Sequence, residues 1–239
     1  MSATAGRGVS LAWIALAAGL LPFAVVHLCY FISVQADIVP GCIPYFSGCT
    51  SISAAGRHGI AYFLFKAGMI PAAVVLAAYW ALCRRWLLAI GHADSTAMRA
   101  MAALGVIAAG FLILYAVFLG SKGEAYDLMR RYGVTVYFSF SALAQMVLLR
   151  ELTRPGLPAI RLLPRRVIRG KLLVVAILLG VGLLSIPVNN FAPDRDRAQN
   201  VIEWLFALVM CSYYLLSWWG WRASGFRAHF SVAAGRGGT

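Results

Sequence analysis

Apolar runs of about twenty residues alternate with short polar breaks along almost the whole chain. The runs cover roughly 11–34, 60–82, 99–119, 132–150, 171–189 and 200–221. Each is close to the ~20 residues that a helix needs to cross the ~30 Å hydrocarbon core of a bilayer. The pattern predicts an all-α polytopic membrane protein, a six-transmembrane-helix bundle in one domain over 1–225, with 226–239 as a flexible tail. The first run, Leu11 to Val34, exceeds the ~7–15 apolar residues of a signal-peptide core, so it reads as an uncleaved span. Pro22, Pro71 and Pro187 fall inside or near the ends of runs, where neighbouring helices can satisfy the carbonyls that proline frees. The chain shows no internal repeat and no stretch long and polar enough for a soluble domain.

Composition agrees with this pattern. Charged residues make up only 12% of the 239 positions, yet the formal charge is +13. The distribution of that charge sets the topology. Fourteen of the 21 Lys and Arg residues fall on one side of the six runs, including Arg7, Arg84, Arg85, Arg99 and the cluster from Arg150 to Lys171. By the positive-inside rule that side is cytoplasmic, and both termini lie there. The basic loop 150–171 is explained by topology and by attraction to anionic headgroups. No basic stretch is interleaved with aromatics in a soluble segment, so nucleic acid is not an expected partner. Trp218, Trp219 and Trp221 fall at the inner end of the last run, where an aromatic belt is expected.

The polar breaks on the other side carry the chemistry. The first and longest reads GCTSISAAGRHG from Gly48 to Gly59. Cys42 and Cys49 share this break, and an oxidising exterior would allow them to form a disulfide. Lys66 lies about two turns into the second span and Glu203 about one turn into the sixth. Ionisable groups at such depths pair or face a wet cavity. A Lys66–Glu203 ion pair would pin two spans together, and the same pair could line a pocket. Ser51, Ser53, Gly56 and Arg57 lead directly into the second span. Short hydroxyls, close-approaching backbone and helix-start N–H groups are the donors that a phosphate or carbonyl headgroup needs. A Ser/His hydrolase is the sharper alternative, with Ser51 or Ser53 attacking, His58 as base and Asp37 or Glu203 orienting it. No GxSxG elbow supports it. The four histidines, His27, His58, His92 and His229, show no HxxxH or HExxH spacing. No metal or other cofactor is therefore expected, and His27 reads as a hydrogen-bonded core histidine.

Two segments resemble the Frag/DRAM/Sfk family of six-span membrane proteins, which includes the post-GPI-attachment lipid-remodelling factor. The first is PYFSGCTSISAAGRHGIAYFLFKAGMIPAAV, with Ser51-Ile52-Ser53, Gly56 and Phe63-Leu64-Phe65-Lys66 in the family's pattern. The second is the Glu203-Trp204 opening of the last span. The family often has proline and acidic residues where this chain has GIAY. The resemblance implies lipid handling at one membrane face. Together with the residues, it gives the expectation of a protein that recognises or remodels a membrane lipid headgroup through an outward-facing polar pocket, set in a bacterial inner membrane. Ser51, Ser53, Gly56, Arg57 and Lys66 would bind the headgroup. Glu203 and His58 would be the acid/base groups of any acyltransferase or hydrolase step. Membrane lipids are the expected partners, with a second membrane protein admitted. The alternatives are a non-catalytic scaffold or regulator of lipid organisation and, third, a small transporter.

Overall fold

The computed structural model describes residues 8–154 and 162–229. Six helices are long and apolar enough to cross a membrane, so the chain is an integral membrane protein built as an all-α six-span bundle. They are α1 (Ala12–Gln35), α4 (Gly59–Ala89), α5 (Thr96–Phe118), α6 (Glu124–Thr153), α7 (Arg165–Phe191) and α8 (Arg195–Ala223). Two single-turn helices, α2 (Pro44–Ser47) and α3 (Ile52–Ala55), lie in the first connection. Several starts are fixed by side-chain caps. Ser95 accepts from Met98 N–H before α5, and Asp194 accepts from Arg197 N–H before α8. Pro22, Pro71 and Pro187 sit inside helices that continue through them.

Neighbouring helices form a ring in the order α7, α8, α1, α4, α5, α6, and the seam between α6 and α7 is its loosest. The two ends of the bundle differ. One carries the Cys42–Cys49 connection and is called here the disulfide end. The other carries Arg84, Arg85, Arg99, Arg150 and the start of α7, and is the arginine-rich end. Both chain ends meet at the latter. A short strand β1 (Val9–Ser10) pairs antiparallel with β2 (Arg227–Ala228), and Leu11 N–H donates to the Phe226 carbonyl at 3.1 Å. The start of the expected tail is therefore tied down by backbone hydrogen bonds. Arg7, Arg161, Arg236 and the tail after 229 lie outside the described residues.

The core toward the arginine-rich end is aromatic. Tyr79 stacks on Trp221 at 5.4 Å and meets Tyr214 edge-on at 5.0 Å. Trp221 is completely buried, so it is a core residue rather than the interfacial anchor the sequence suggested; Trp219 remains exposed. Lys171, read from sequence as part of the basic loop, is also completely buried. Its ammonium reaches Ser217 Oγ at 2.6 Å and the Tyr213 carbonyl at 3.4 Å, and lies 3.3 Å above the Tyr213 ring. Ser217 Oγ in turn lies 2.6 Å from the Tyr79 hydroxyl. With no carboxylate paired to it among the described residues, the amine is held by hydroxyl, carbonyl and ring face together.

Candidate functional site

The polar stretch 48–59 folds into a compact turn docked on the start of α8. Gly48 sits at φ 58°, and a Cβ there would lie 2.1 Å from the Arg197 carbonyl oxygen, so only glycine fits the left-handed turn and the close approach. Ser51 caps α3 by accepting from Ala54 N–H at 3.0 Å. Three positions of α8 hold the turn. Asn200 donates to the Gly48 carbonyl at 2.9 Å, Trp204 Nε1 donates to the Thr50 carbonyl at 2.9 Å, and the Glu203 carboxylate faces the backbone N–H groups of Ile52 and Ser53. From α1, Ser33 donates to the Ala55 carbonyl at 2.7 Å. Cys42 and Cys49 are joined by a disulfide, and the Tyr30 hydroxyl braces that segment by bonding both N–H and C=O of Cys42. The hydrogen bonding of the connection is thus met locally, as an ordered loop at a membrane surface requires.

Behind this turn lies a cleft of about 640 Å³. Its walls are Ser53 and Arg57 from the turn, Tyr115 from α5, Asp127, Arg130, Arg131 and Thr135 from α6, Ser185 from α7, and Gln199 and Glu203 from α8. Arg57 donates to Ser53 Oγ at 3.1 Å and faces Glu203, while its Nε is buried without a partner. Arg130 is committed to Asp127 and, at 2.6 Å, to the Ser121 carbonyl. Arg131 has no carboxylate partner among the described residues. Three guanidiniums against two carboxylates leave this wall positive. The cleft borders the α6–α7 seam, with walls from both helices. A Cβ on Gly180 or Gly182 would meet nothing within 4 Å, and Leu183, Leu184 and Ile186 of the outer half of α7 are exposed.

A second, narrower hollow of about 40 Å³ adjoins the cleft, sharing Tyr115, Val134, Phe138 and Glu203 with it. Its other walls are apolar side chains such as Val26, Met69 and Leu112. The polar residues beside it satisfy one another. His27 Nε2 lies 2.7 Å from the Tyr45 hydroxyl and His27 Nδ1 lies 2.7 Å from the Phe23 carbonyl, so Nδ1–H donates and Nε2 accepts. His27 is hydrogen-bonded, as its sequence context indicated, but half-buried rather than in the core.

The expected site residues divide. Ser53, Arg57 and Glu203 come together at the cleft. Ser51 is engaged in the cap and lies 3.1 Å from Ser53 Oγ. Gly56 has a packing role, since a Cβ there would meet the Phe65 ring at 2.5 Å. Lys66 does not pair with Glu203. It donates to the Tyr62 hydroxyl at 2.5 Å and sits over that ring on its own helix, away from the cleft. His58 is exposed at the start of α4, with no hydrogen bond to Ser51 or Ser53, and Asp37 is an exposed turn residue at φ 54°. A Ser/His pair is therefore not assembled. Among the cleft residues, Asp127, Arg130 and Arg131 were legible in the sequence only as polar residues at an outer helix end, and Tyr115, Thr135 and Ser185 were not singled out. Asp127, Arg130, Arg131, Val134 and Phe138 recur at helical spacing, the signal that places them on one face of α6. Among the described residues no group of three or more His, Cys, Asp and Glu could hold a metal ion.

Comparison with protein-family models, curated proteins and solved structures finds no match to this chain.

Proposed function

We propose that the protein recognises or remodels the headgroup of a membrane lipid in the cleft at the disulfide end. The observation that carries this reading is a large cleft with two under-used guanidiniums, Arg57 and Arg131, set against the loosest helix seam of the ring. A lipid reaches such a site by moving laterally, with its chains still in the bilayer. In this reading the disulfide end faces the outside of a bacterial inner membrane. The arginine excess at the opposite end supports that orientation, and so does a disulfide, which persists on an oxidising side. The resemblance of the first connection and of Glu203-Trp204 to the Frag/DRAM/Sfk family points to the same class of function.

One observation favours a non-catalytic variant of this reading, a lipid-sensing scaffold or regulator. The Glu203 carboxylate is turned toward the backbone N–H groups of Ile52 and Ser53 and toward Arg57, which suits an anchoring role better than proton transfer. The two variants separate in one experiment. A strain lacking the gene is restored with wild type or with Arg57→Gln plus Arg131→Gln, and its lipids are profiled alongside lipids co-purified with each protein. A remodelling protein changes the profile on deletion, and the double variant fails to restore it. A regulator leaves the profile unchanged but loses co-purified lipid in the double variant. An unchanged profile together with unchanged co-purified lipid overturns the proposal.

A further inference from the structure

The cleft and the narrow hollow beside it share Tyr115, Val134, Phe138 and Glu203 as walls and differ in chemistry, and Glu203 and Tyr115 stand at the junction. On one side are three guanidiniums and two carboxylates, a net charge of one positive. A phosphodiester carries one negative charge, and Arg57 Nε and Arg131 are donors with no carboxylate of their own to hold. On the other side the hollow runs from Glu203 to Cys211 of α8, about 12 Å along the helix axis, and is floored by Pro22 and Phe23 near the middle of α1. Its width suits a flexible alkyl chain and excludes a headgroup. His27 and Tyr45 bond to each other there, and the polar groups that remain, the Glu203 carboxylate and the unpartnered Tyr115 hydroxyl, stand at the junction with the cleft, where they would meet the headgroup end of a ligand rather than its chain.

We infer that the cleft and hollow form a two-part site for one anionic diacyl phospholipid, its phosphodiester at Arg57 and Arg131 and the end of one acyl chain in the hollow past Glu203. The second chain stays in the bilayer against the exposed leucines of α7, which is why the cleft needs the loose seam there. This assignment rests on the reading of the cleft as a lipid site and adds the charge of the ligand and the place of its chain. A soluble phosphate ester would use the cleft alone.

The test uses the full chain, purified in detergent, stripped of lipid and titrated with four ligands: dioleoyl phosphatidylglycerol, dioleoyl phosphatidylcholine, dioleoylglycerol and glycerol phosphate. Bound ligand is read by native mass spectrometry. Phosphatidylglycerol is expected to bind about tenfold better than phosphatidylcholine, whose phosphodiester offers the same acceptors but whose trimethylammonium would face the positive wall, and Arg131→Gln is expected to erase that preference. Ala207→Phe, which places a ring in the hollow, is expected to abolish phosphatidylglycerol binding. Equal binding of phosphatidylglycerol and phosphatidylcholine overturns the anionic assignment. Unchanged phosphatidylglycerol binding by a folded Ala207→Phe overturns the chain assignment, and so does glycerol phosphate binding as well as phosphatidylglycerol. If Ala207→Phe does not fold, dihexanoyl and dioleoyl phosphatidylglycerol are compared on wild type, and equal binding overturns the chain assignment. In each of these cases the diacyl lipid still binds and the cleft remains a lipid site, whereas failure of all diacyl ligands to bind overturns that underlying reading too.

Discussion

Glu203 should govern the folding of the first connection before it governs any ligand. Its carboxylate faces the N–H groups of Ile52 and Ser53 at the start of α3. Glu203→Ala removes both oxygens at once. A donor left without a partner costs about 1–3 kcal/mol, and the alanine variant should lose an amount in that range. Glu203→Gln keeps one oxygen and presents its amide NH2 to the other donor, so its loss should be about half as large. The neighbouring bonds from Asn200 and Trp204 persist in both variants, and the damage should therefore stay local. Unfolding by increasing SDS in mixed micelles gives the stability difference. Amide exchange at Ile52 and Ser53 shows where it arises, with both protected in wild type, one exposed in Gln and both exposed in Ala. An alanine variant that unfolds within about 0.5 kcal/mol of wild type, the scatter expected for neutral surface changes, would refute the reasoning and release Glu203 for a purely ligand-facing role.

Other outcomes follow from single features. Gly48→Ala forces a Cβ into the Arg197 carbonyl at φ 58°, and should cost at least the ~1–2 kcal/mol of a left-handed non-glycine residue, read as a lower unfolding midpoint than for Gly110→Ala, where the space is open. Asp94, outside the spans, receives bonds from Arg84 at 3.1 and 2.7 Å, and these hold its carboxyl below the ordinary value of 3.8. A depressed carboxylate contributes stability above its unfolded value and loses it as pH falls through the lower folded one, so Asp94→Asn should flatten the part of the acid limb below about pH 4 in a pH-dependent melt. Cys29, Cys83 and Cys211 are buried thiols while Cys42 and Cys49 are paired. Maleimide should label none of the five cysteines in the native protein, two after reduction and all after reduction and unfolding; labelling of Cys83 in the folded state would contradict the closed aromatic core.

The six spans were legible because lipid imposes a length and a composition on each of them. Their ends were not, since helix continues past the apolar stretch wherever charged side chains can reach the surface. Thus α4 runs on through Arg84 and Arg85 to Ala89, and α6 starts at Glu124 rather than near 132. The depth of Lys66 and Glu203 was readable from position, but their directions were not. Phe65 points into the core, and Lys66 is one residue further, about 100° around the helix, toward Tyr62. Two residues, about 200° of rotation, separate Trp221 from Trp219: Tyr214, Ser217 and Trp221 share the inward face of α8 and Trp219 the outward one. Lys171 escaped notice because a basic loop and a buried lysine look alike until the partners, Ser217 and Tyr213, are brought beside it from 42–46 residues away in sequence.

The dependence of the first connection on α8 also imposes an order on biogenesis. The turn at Ile52–Ser53 and the Cys42–Cys49 segment are synthesised early, yet the side chains that moor them, Asn200, Glu203 and Trp204, belong to the last span. At ~5–20 residues per second, roughly 7–30 s separate the emergence of His58 from that of Glu203. During that interval the connection is held from α1 alone, through Ser33 and Tyr30, so the oxidant that joins the two cysteines meets them before the bundle has closed. Insertion of α8 then completes three tasks in one event: it caps the turn, pairs the chain ends through β1 and β2, and walls off the cleft.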